Sequence, residues 1–294
     1  MKIKFLTSTA LVLFVFGFAQ AQSSYFDGKF TVRGFTHYDQ QYTLYDFSRE
    51  GKTMKAKYFA TNAYQQYLDW KSGKEILLVV PGAFSDGWEK SAKPVGLCVD
   101  NGKIVNRSPD SNMDGMVIVY NGSTQIGGIA IVDMDKSPVN CETSYGSGQY
   151  KDYYPRTSST DRTIFLNWGE SNGLTLFQTQ LVFSEKKASY ENFQNLTYGE
   201  QRERRFLAIC RKNGDVHHVV VNAPDKQYLN MAAQRAKEVL DFDGFQVLYM
   251  LNLDTGWKNL MYAYNGSYLE DLKPSTNENA TIDRATNLLI YYKD

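Results

Sequence analysis

The stretch "LNLDTGW" (Leu251 to Trp257) sets a carboxylate, Asp254, just after an apolar run, "FQVLYM", that reads as a buried strand. A strand that ends this way either caps a turn with its Asp, as in an Asx-turn into Gly256, or holds the charge out to a ligand. A carboxylate so held can act as acid, base or nucleophile. Asp86 is a second carboxylate of this kind, in "FSDGW", which is also a good turn sequence. Arg205 closes the run "EQRERR", which read alone is a solvated charged surface. Metal chemistry through His or Cys has little to build on. His217 and His218 are adjacent in a strand-like run, so their side chains should point to opposite faces, and His37 has no ligand-spaced neighbour. Cys98 and Cys210 sit in apolar runs, "VGLCV" and "FLAIC", and read as buried thiols. Cys141 leaves an odd count, so at most one disulfide forms, and the sequence does not choose its partners.

Composition narrows the class. The chain has 294 residues, 43% hydrophobic and 22% charged, enough for one large domain or two modest ones with a sizeable core. Formal net charge is zero and no basic block occurs, which argues against a nucleic-acid surface. The 21 Tyr and 17 Phe suit strands first and sugar-stacking surfaces second. At the start, Lys2 and Lys4 precede the apolar run "ALVLFVFGFA" and the small-x-small pattern Ala19-Gln20-Ala21. That order reads as a signal peptide over residues 1–21, hence an exported protein, periplasmic or secreted, with no transmembrane segment in the mature chain.

The elements that must position these residues follow from period and turn chemistry. Residues 29–48 suggest two aromatic-rich strands, and the spacing of Met54, Tyr58, Tyr64, Tyr67 and Leu68 predicts a helix from Met54 to Trp70. "EILLVV" is a short buried strand broken by Pro81-Gly82. Asn101-Gly102, Asn121-Gly122 and Asn213-Gly214 each predict a two-residue hairpin turn, because both central positions need positive φ. Residues 137–163 are polar and read as a long surface loop. "GLTLFQTQLVFSEK" and the closing "ATNLLIYYK" read as strands, and Asp225 is placed to cap a helix with Tyr228, Met231, Ala232, Ala236, Val239 and Leu240 on its apolar face. Few helices among many strands, without strict alternation, predict an α+β fold with mixed sheets, as one domain over residues 22–294.

Over roughly residues 75 to 265 the order of motifs resembles the phosphodiester glycosidase family, which includes the uncovering enzyme of the mannose-6-phosphate pathway. The resemblance rests on "PGAFSD", "PVGLCVDNG", "VIVYNG", "FQTQLVF", "RRFLAICRKNGDVHHVVV" and "MLNLDTGW". The family has Asn where Pro81 stands, Gly-Pro where Leu181 and Val182 follow Gln180, and glycines after the Asp where Thr255-Gly256-Trp257 stands. The resemblance implies hydrolysis of a sugar-1-phosphodiester, with no cofactor and with a carbohydrate or phosphoglycan as partner. It gives Asp254 the part of acid/base or nucleophile, Asp86 that of helper, and Arg205 that of phosphate clamp, since a guanidinium fork bonds two oxygens at once. Asn121 and Gln180 would bind substrate, although the hairpin turn explains Asn121 without one. Trp88 and Trp257 could stack on a sugar or fill a core. A divalent metal between Asp254 and Asp86 stays open, because oxygen-only sites leave no firm spacing signature. The altered turns also suit a second reading, a scaffold that binds a glycan or phosphoglycan without cleaving it.

Overall fold

Strands dominate because short apolar and aromatic runs recur along the chain, and the strands of the described residues pair antiparallel. In the computed structural model the described residues are 19–20, 24–26, 30–48, 53–120, 128–144, 146–193, 196, 199–255, 259–265, 268–272 and 281–294. The order begins β1 (Ala19–Gln20), β2 (Ser24–Phe26), β3 (Phe30–His37), β4 (Gln40–Ser48), β5 (Lys55–Phe59), α1 (Ala63–Trp70) and β6 (Glu75–Val80). It continues β7 (Cys98–Asp100), β8 (Lys103–Asn106), β9 (Gly115–Val119), β10 (Ile129–Asp133), β11 (Val139–Glu142), β12 (Tyr150–Tyr153) and α2 (Ser159–Ser171). The second half is β13 (Thr175–Ser184), β14 (Arg202–Lys212), β15 (Asp215–Gln227), α3 (Leu229–Phe242) and β16 (Gln246–Asn252). It ends β17 (Tyr262–Asn265), β18 (Tyr268–Asp271) and β19 (Leu288–Lys293). The fold is α+β.

A 12-stranded sheet runs β1-β3-β4-β15-β14-β16-β13-β7-β8, with β2, β9 and β10 attached off that path. A second sheet of five strands runs β18-β17-β6-β19-β5. The two sheets bury one core between them, where Phe47, Tyr58, Val80, Phe177, Leu251 and Tyr291 meet. The other face of the large sheet is covered by α3, whose Ala232, Ala233, Ala236 and Val239 pack on Phe206, Ala208 and Val221. In the same way α1 covers the five-stranded sheet, and α2 packs with β7 and β9 through Phe165, Val99 and Met116. A sheet covered on both faces needs apolar residues in consecutive positions. That is why "RFLAIC" and "VVV" are continuous apolar runs, with Phe206 and Ala208 facing the helix side and Leu207 the sheet side.

Several expectations meet the structure directly. The hairpin turns at Asn101-Gly102 and Asn213-Gly214 form, with φ of 47° and 70° and of 55° and 89°. His217 and His218 do face apart: His217 Nδ1 meets Asp46 Oδ1 at 2.8 Å on one side, and His218 Nδ1 meets the Tyr291 hydroxyl at 3.0 Å on the other. Cys98, Cys141 and Cys210 are buried thiols without disulfides.

Others need correction. The helix expected from Met54 to Trp70 is half strand: Lys55–Phe59 is β5, because pairing with β19 buries Tyr58 against Phe177 more fully than one helical face could. At the predicted Asn121-Gly122 turn, a two-residue loop would pair residue 120 with 123. The register instead pairs Val119 with Ile129, and the Tyr120 N–H donates to Gly128 O. Residues 121–127 themselves lie outside the described residues. The presumed loop 137–163 holds the β11–β12 hairpin and the start of α2, whose Ser158 side chain caps the helix by accepting from Asp161 N at 3.2 Å. Asp225 caps no helix; β15 runs on to Gln227, and the Asp225 carboxylate accepts from Gln41 N at 2.6 Å. Tyr228 and Met231 are consequently exposed, at the edge of α3 rather than on its buried face. Of the expected leader, residues 1–18 and 21 lie outside the described residues, and Ala19 and Gln20 pair with Thr36 and Phe35. No helix among the described residues is long and apolar enough to cross a membrane.

Candidate functional site

Four chain segments distant in sequence are tied together by backbone and amide hydrogen bonds. Just past β16, the Leu253 N–H donates to Arg205 O at 2.9 Å and the Asp254 N–H to Gly82 O at 3.1 Å. Gly82 N in turn donates to the Asn287 Oδ1 at 2.8 Å, while Asn287 Nδ2 donates to Ala83 O at 2.8 Å and to Ser85 Oγ at 3.1 Å. Pro81 brings no amide side chain to this turn, but Asn287 supplies one from 205 residues beyond Gly82. The clamp is buried, with Asn287 fully enclosed, so its bonds are shielded from competing water.

Gly82 is required for a steric reason. A Cβ there would lie 2.7 Å from Tyr58 Cε2 and 3.4 Å from Phe177 Cζ, and those two rings are stacked and buried. Gly82→Ala should therefore destabilise the protein by about 1–3 kcal/mol. The expected reading is a lower urea midpoint at unchanged slope. An unaltered midpoint would mean that the rings yield and that the close approach is not needed.

The clamp brings Asp254 and Asp86 to the same cleft, of about 500 Å3, together with Ser85, Trp88, Glu89 and Arg202. The two carboxylates differ in setting. Asp254 is 9% exposed, whereas Asp86 lies on the exposed loop after β6, where its Oδ1 accepts from Lys93 N at 2.8 Å. Trp88 is 65% exposed at the rim, its indole N–H bonded to Glu89. Next to Asp254, the Thr255 hydroxyl donates to Glu203 O at 2.9 Å, which pins the segment to β14. Among the described residues no three His, Cys, Asp or Glu side chains are grouped to hold a metal ion.

The remaining expected residues fall elsewhere. Arg205 is wholly buried under the cleft and does not line it. Its Nη1 donates to Leu260 O at 2.7 Å, and its Nη2 to Asn259 Oδ1 at 2.6 Å and to Asn222 Oδ1 at 3.3 Å. Burial lowers its pKa to about 10, and the charges of Tyr45, Glu203 and Asp254 oppose that fall. It remains a cation at neutral pH, within electrostatic reach of Asp254. Gln180 accepts from Asn252 Nδ2 at 2.9 Å, bridging β13 and β16 two residues before Asp254. Asn121 and Trp257 lie outside the described residues.

Arg202, which sequence reasoning passed over, is the cation at the cleft wall. In "EQRERR" only the fold separates one arginine from another. The β14–β15 pairing shifts between Arg202 and Arg204, with the extra residues on β15, and Arg202 is the first residue of β14. Arg202 is exposed there, pairing with Glu200 at 3.0 Å, while Arg204 and Arg205 are buried in the sheet.

No family model matches the chain, and no curated protein matches it. Among solved structures, it is similar to the catalytic domain of zebrafish N-acetylglucosamine-1-phosphodiester alpha-N-acetylglucosaminidase auto-inhibited by its pro-peptide, at 11% identity and a TM-score of 0.47. That match covers 94% of this chain and 83% of the zebrafish one. A protein from Burkholderia pseudomallei K96243 thought to be exported is also similar, at 10% identity and a TM-score of 0.42, over 88% of this chain and 74% of that one. Neither likeness bears on which side chains do chemistry.

Proposed function

We infer that this chain is an exported hydrolase of sugar-1-phosphodiesters, working in the cleft that Asp254 and Asp86 share. The observation that carries the reading is this convergence: two carboxylates from segments 168 residues apart by number, a guanidinium and an exposed indole border one opening. Breaking a glycosidic bond uses carboxylates on either side of the anomeric carbon. The phosphodiester leaving group is a weak base, so it needs little protonation, but its charge calls for a cation. Arg202 is the residue placed to meet that charge at the cleft wall, and Trp88 offers an apolar face to a sugar ring. Asp254, mostly buried at the cleft with its backbone bonded to Gly82 O, is the carboxylate assigned to act on the reacting carbon. Asp86 assists from the exposed loop. The motif order of the sequence supports the same reaction class.

Hydrolysis of a chromogenic N-acetylglucosamine-1-phosphodiester by the mature protein tests this reading. Saturable turnover supports it; sugar-phosphate binding without turnover would favour the non-catalytic glycan-binding scaffold instead. Arg202→Ala should raise KM about tenfold and alter kcat less, because an exposed guanidinium meets the phosphate in ground and transition states alike. Steady-state kinetics at low and high salt will read this effect, which should shrink as salt screens the wild-type contact.

A further inference from the structure

A second cleft, of about 550 Å3, opens on another part of the surface, where β13 meets the segments after β10 and after β13. None of its lining residues belongs to the Asp254 cleft. We propose that it binds a neutral mono- or disaccharide, and this does not rest on the hydrolase reading.

Charge balance indicates what kind of ligand fits. Three cations stand in the cleft, and each is paired there with an anion: Arg156 with Asp135, Lys136 with Glu191 at 2.5 Å, and Lys187 with Asp114. A charged ligand would leave the balanced cleft with one charge uncompensated. A hydroxyl group need not, since it donates to a carboxylate and accepts from an ammonium or guanidinium together. Neutral polyols are thus the ligands that keep every charge compensated. The paired residues come from segments 21, 55 and 73 positions apart, so the polar walls are cross-braced before any ligand arrives, which lowers the ordering cost of binding. A volume near 550 Å3 also lies within the range of small-ligand sites.

Two further features single out this place. Tyr190 is 71% exposed at the cleft, an aromatic face on which the C–H groups of a pyranose can pack. Phe193, which also lines it, has a φ of 67°, a left-handed conformation that a bulky side chain rarely adopts. Strain of this kind gathers at ligand clamps, where the surroundings over-determine it. The floor lies where the β13–β16 ladder is interrupted by a register shift between Leu181 and Phe183.

Calorimetric titration of the mature protein with N-acetylglucosamine, maltose, cellobiose and lactose, beside glucose-1-phosphate, tests the proposal. At least one neutral sugar should bind with a Kd of about 1 mM, and Tyr190→Ala should weaken it about tenfold. Raising NaCl should change that Kd by less than about twofold, as expected for an uncharged ligand. Asp254→Asn should leave it unchanged, so loss of hydrolase activity and loss of this site are distinguishable. The proposal is overturned if none of the four sugars binds. It is equally overturned if only glucose-1-phosphate binds, or if binding survives in Tyr190→Ala and is lost in Asp254→Asn. Tyr190 is exposed, so its replacement should not disturb folding.

Discussion

Asp254→Asn should lower kcat on a sugar-1-phosphodiester by roughly 10²–10⁴-fold, the range for removing a positioned acid or base. The substitution keeps size and shape, and the backbone bond from residue 254 to Gly82 O is made by the N–H and survives it. Stability should therefore change by no more than about 0.5–1 kcal/mol, a shift of a few degrees or less in Tm. The pair of readings matters more than either alone. Lost turnover at constant Tm marks a residue spent on chemistry. Equal turnover in variant and wild type would sink the assignment and leave Asp254 as a turn residue. A large fall in Tm would show that its carboxylate serves the Asn287 clamp rather than a substrate.

Arg205→Met should have the opposite profile. Arg205 donates to Leu260 O, Asn259 and Asn222 from a fully buried position, and Asn259 in turn is bonded to Glu203. Methionine fills much of the volume but donates nothing. Three acceptors lose their donor, and Glu203 loses a compensating charge, a situation that typically costs about 3–5 kcal/mol. Tm should drop by roughly 10 °C, followed by circular dichroism on a protein that still folds at low temperature. Arg205→Lys should fall between, because one ammonium cannot span the three acceptors that the guanidinium fork reaches. If Arg205 instead served as a phosphate clamp, its loss would raise KM and spare Tm; that result would reverse the present assignment of Arg202 and Arg205.

These two arginines show where reading a sequence stops. Local chemistry marked Asp254 as a strand-end carboxylate, and it lies just past the end of β16. Asn-Gly pairs fixed the turns at 101–102 and 213–214, since few other dipeptides tolerate two positive φ values in succession. Adjacent histidines were bound to separate, because strand side chains alternate whatever the tertiary context. All of these are properties of one to six residues.

Other features belong to the packing. Lys55–Phe59 carries a helical pattern, yet it is a strand because β19 offers it a ladder and Phe177 a stacking partner. The 137–163 segment is too polar to predict, but its hairpin and α2 bury Cys141, Tyr153 and Phe165 against β7 and β9. Asn287, which holds the Pro81–Ser85 turn, stands 205 residues beyond Gly82 and belongs to no local motif.

The sequence by itself determined the class of the protein, α+β and strand-rich, and the carboxylate at the end of β16, because period and turn chemistry are local. Only the tertiary structure decided that Asp86 shares a cleft with Asp254, and that Arg202 rather than Arg205 borders it. The physical reason is that burial is a property of the whole: in one charged run, the start of β14 leaves one guanidinium exposed while the packed sheet encloses the other.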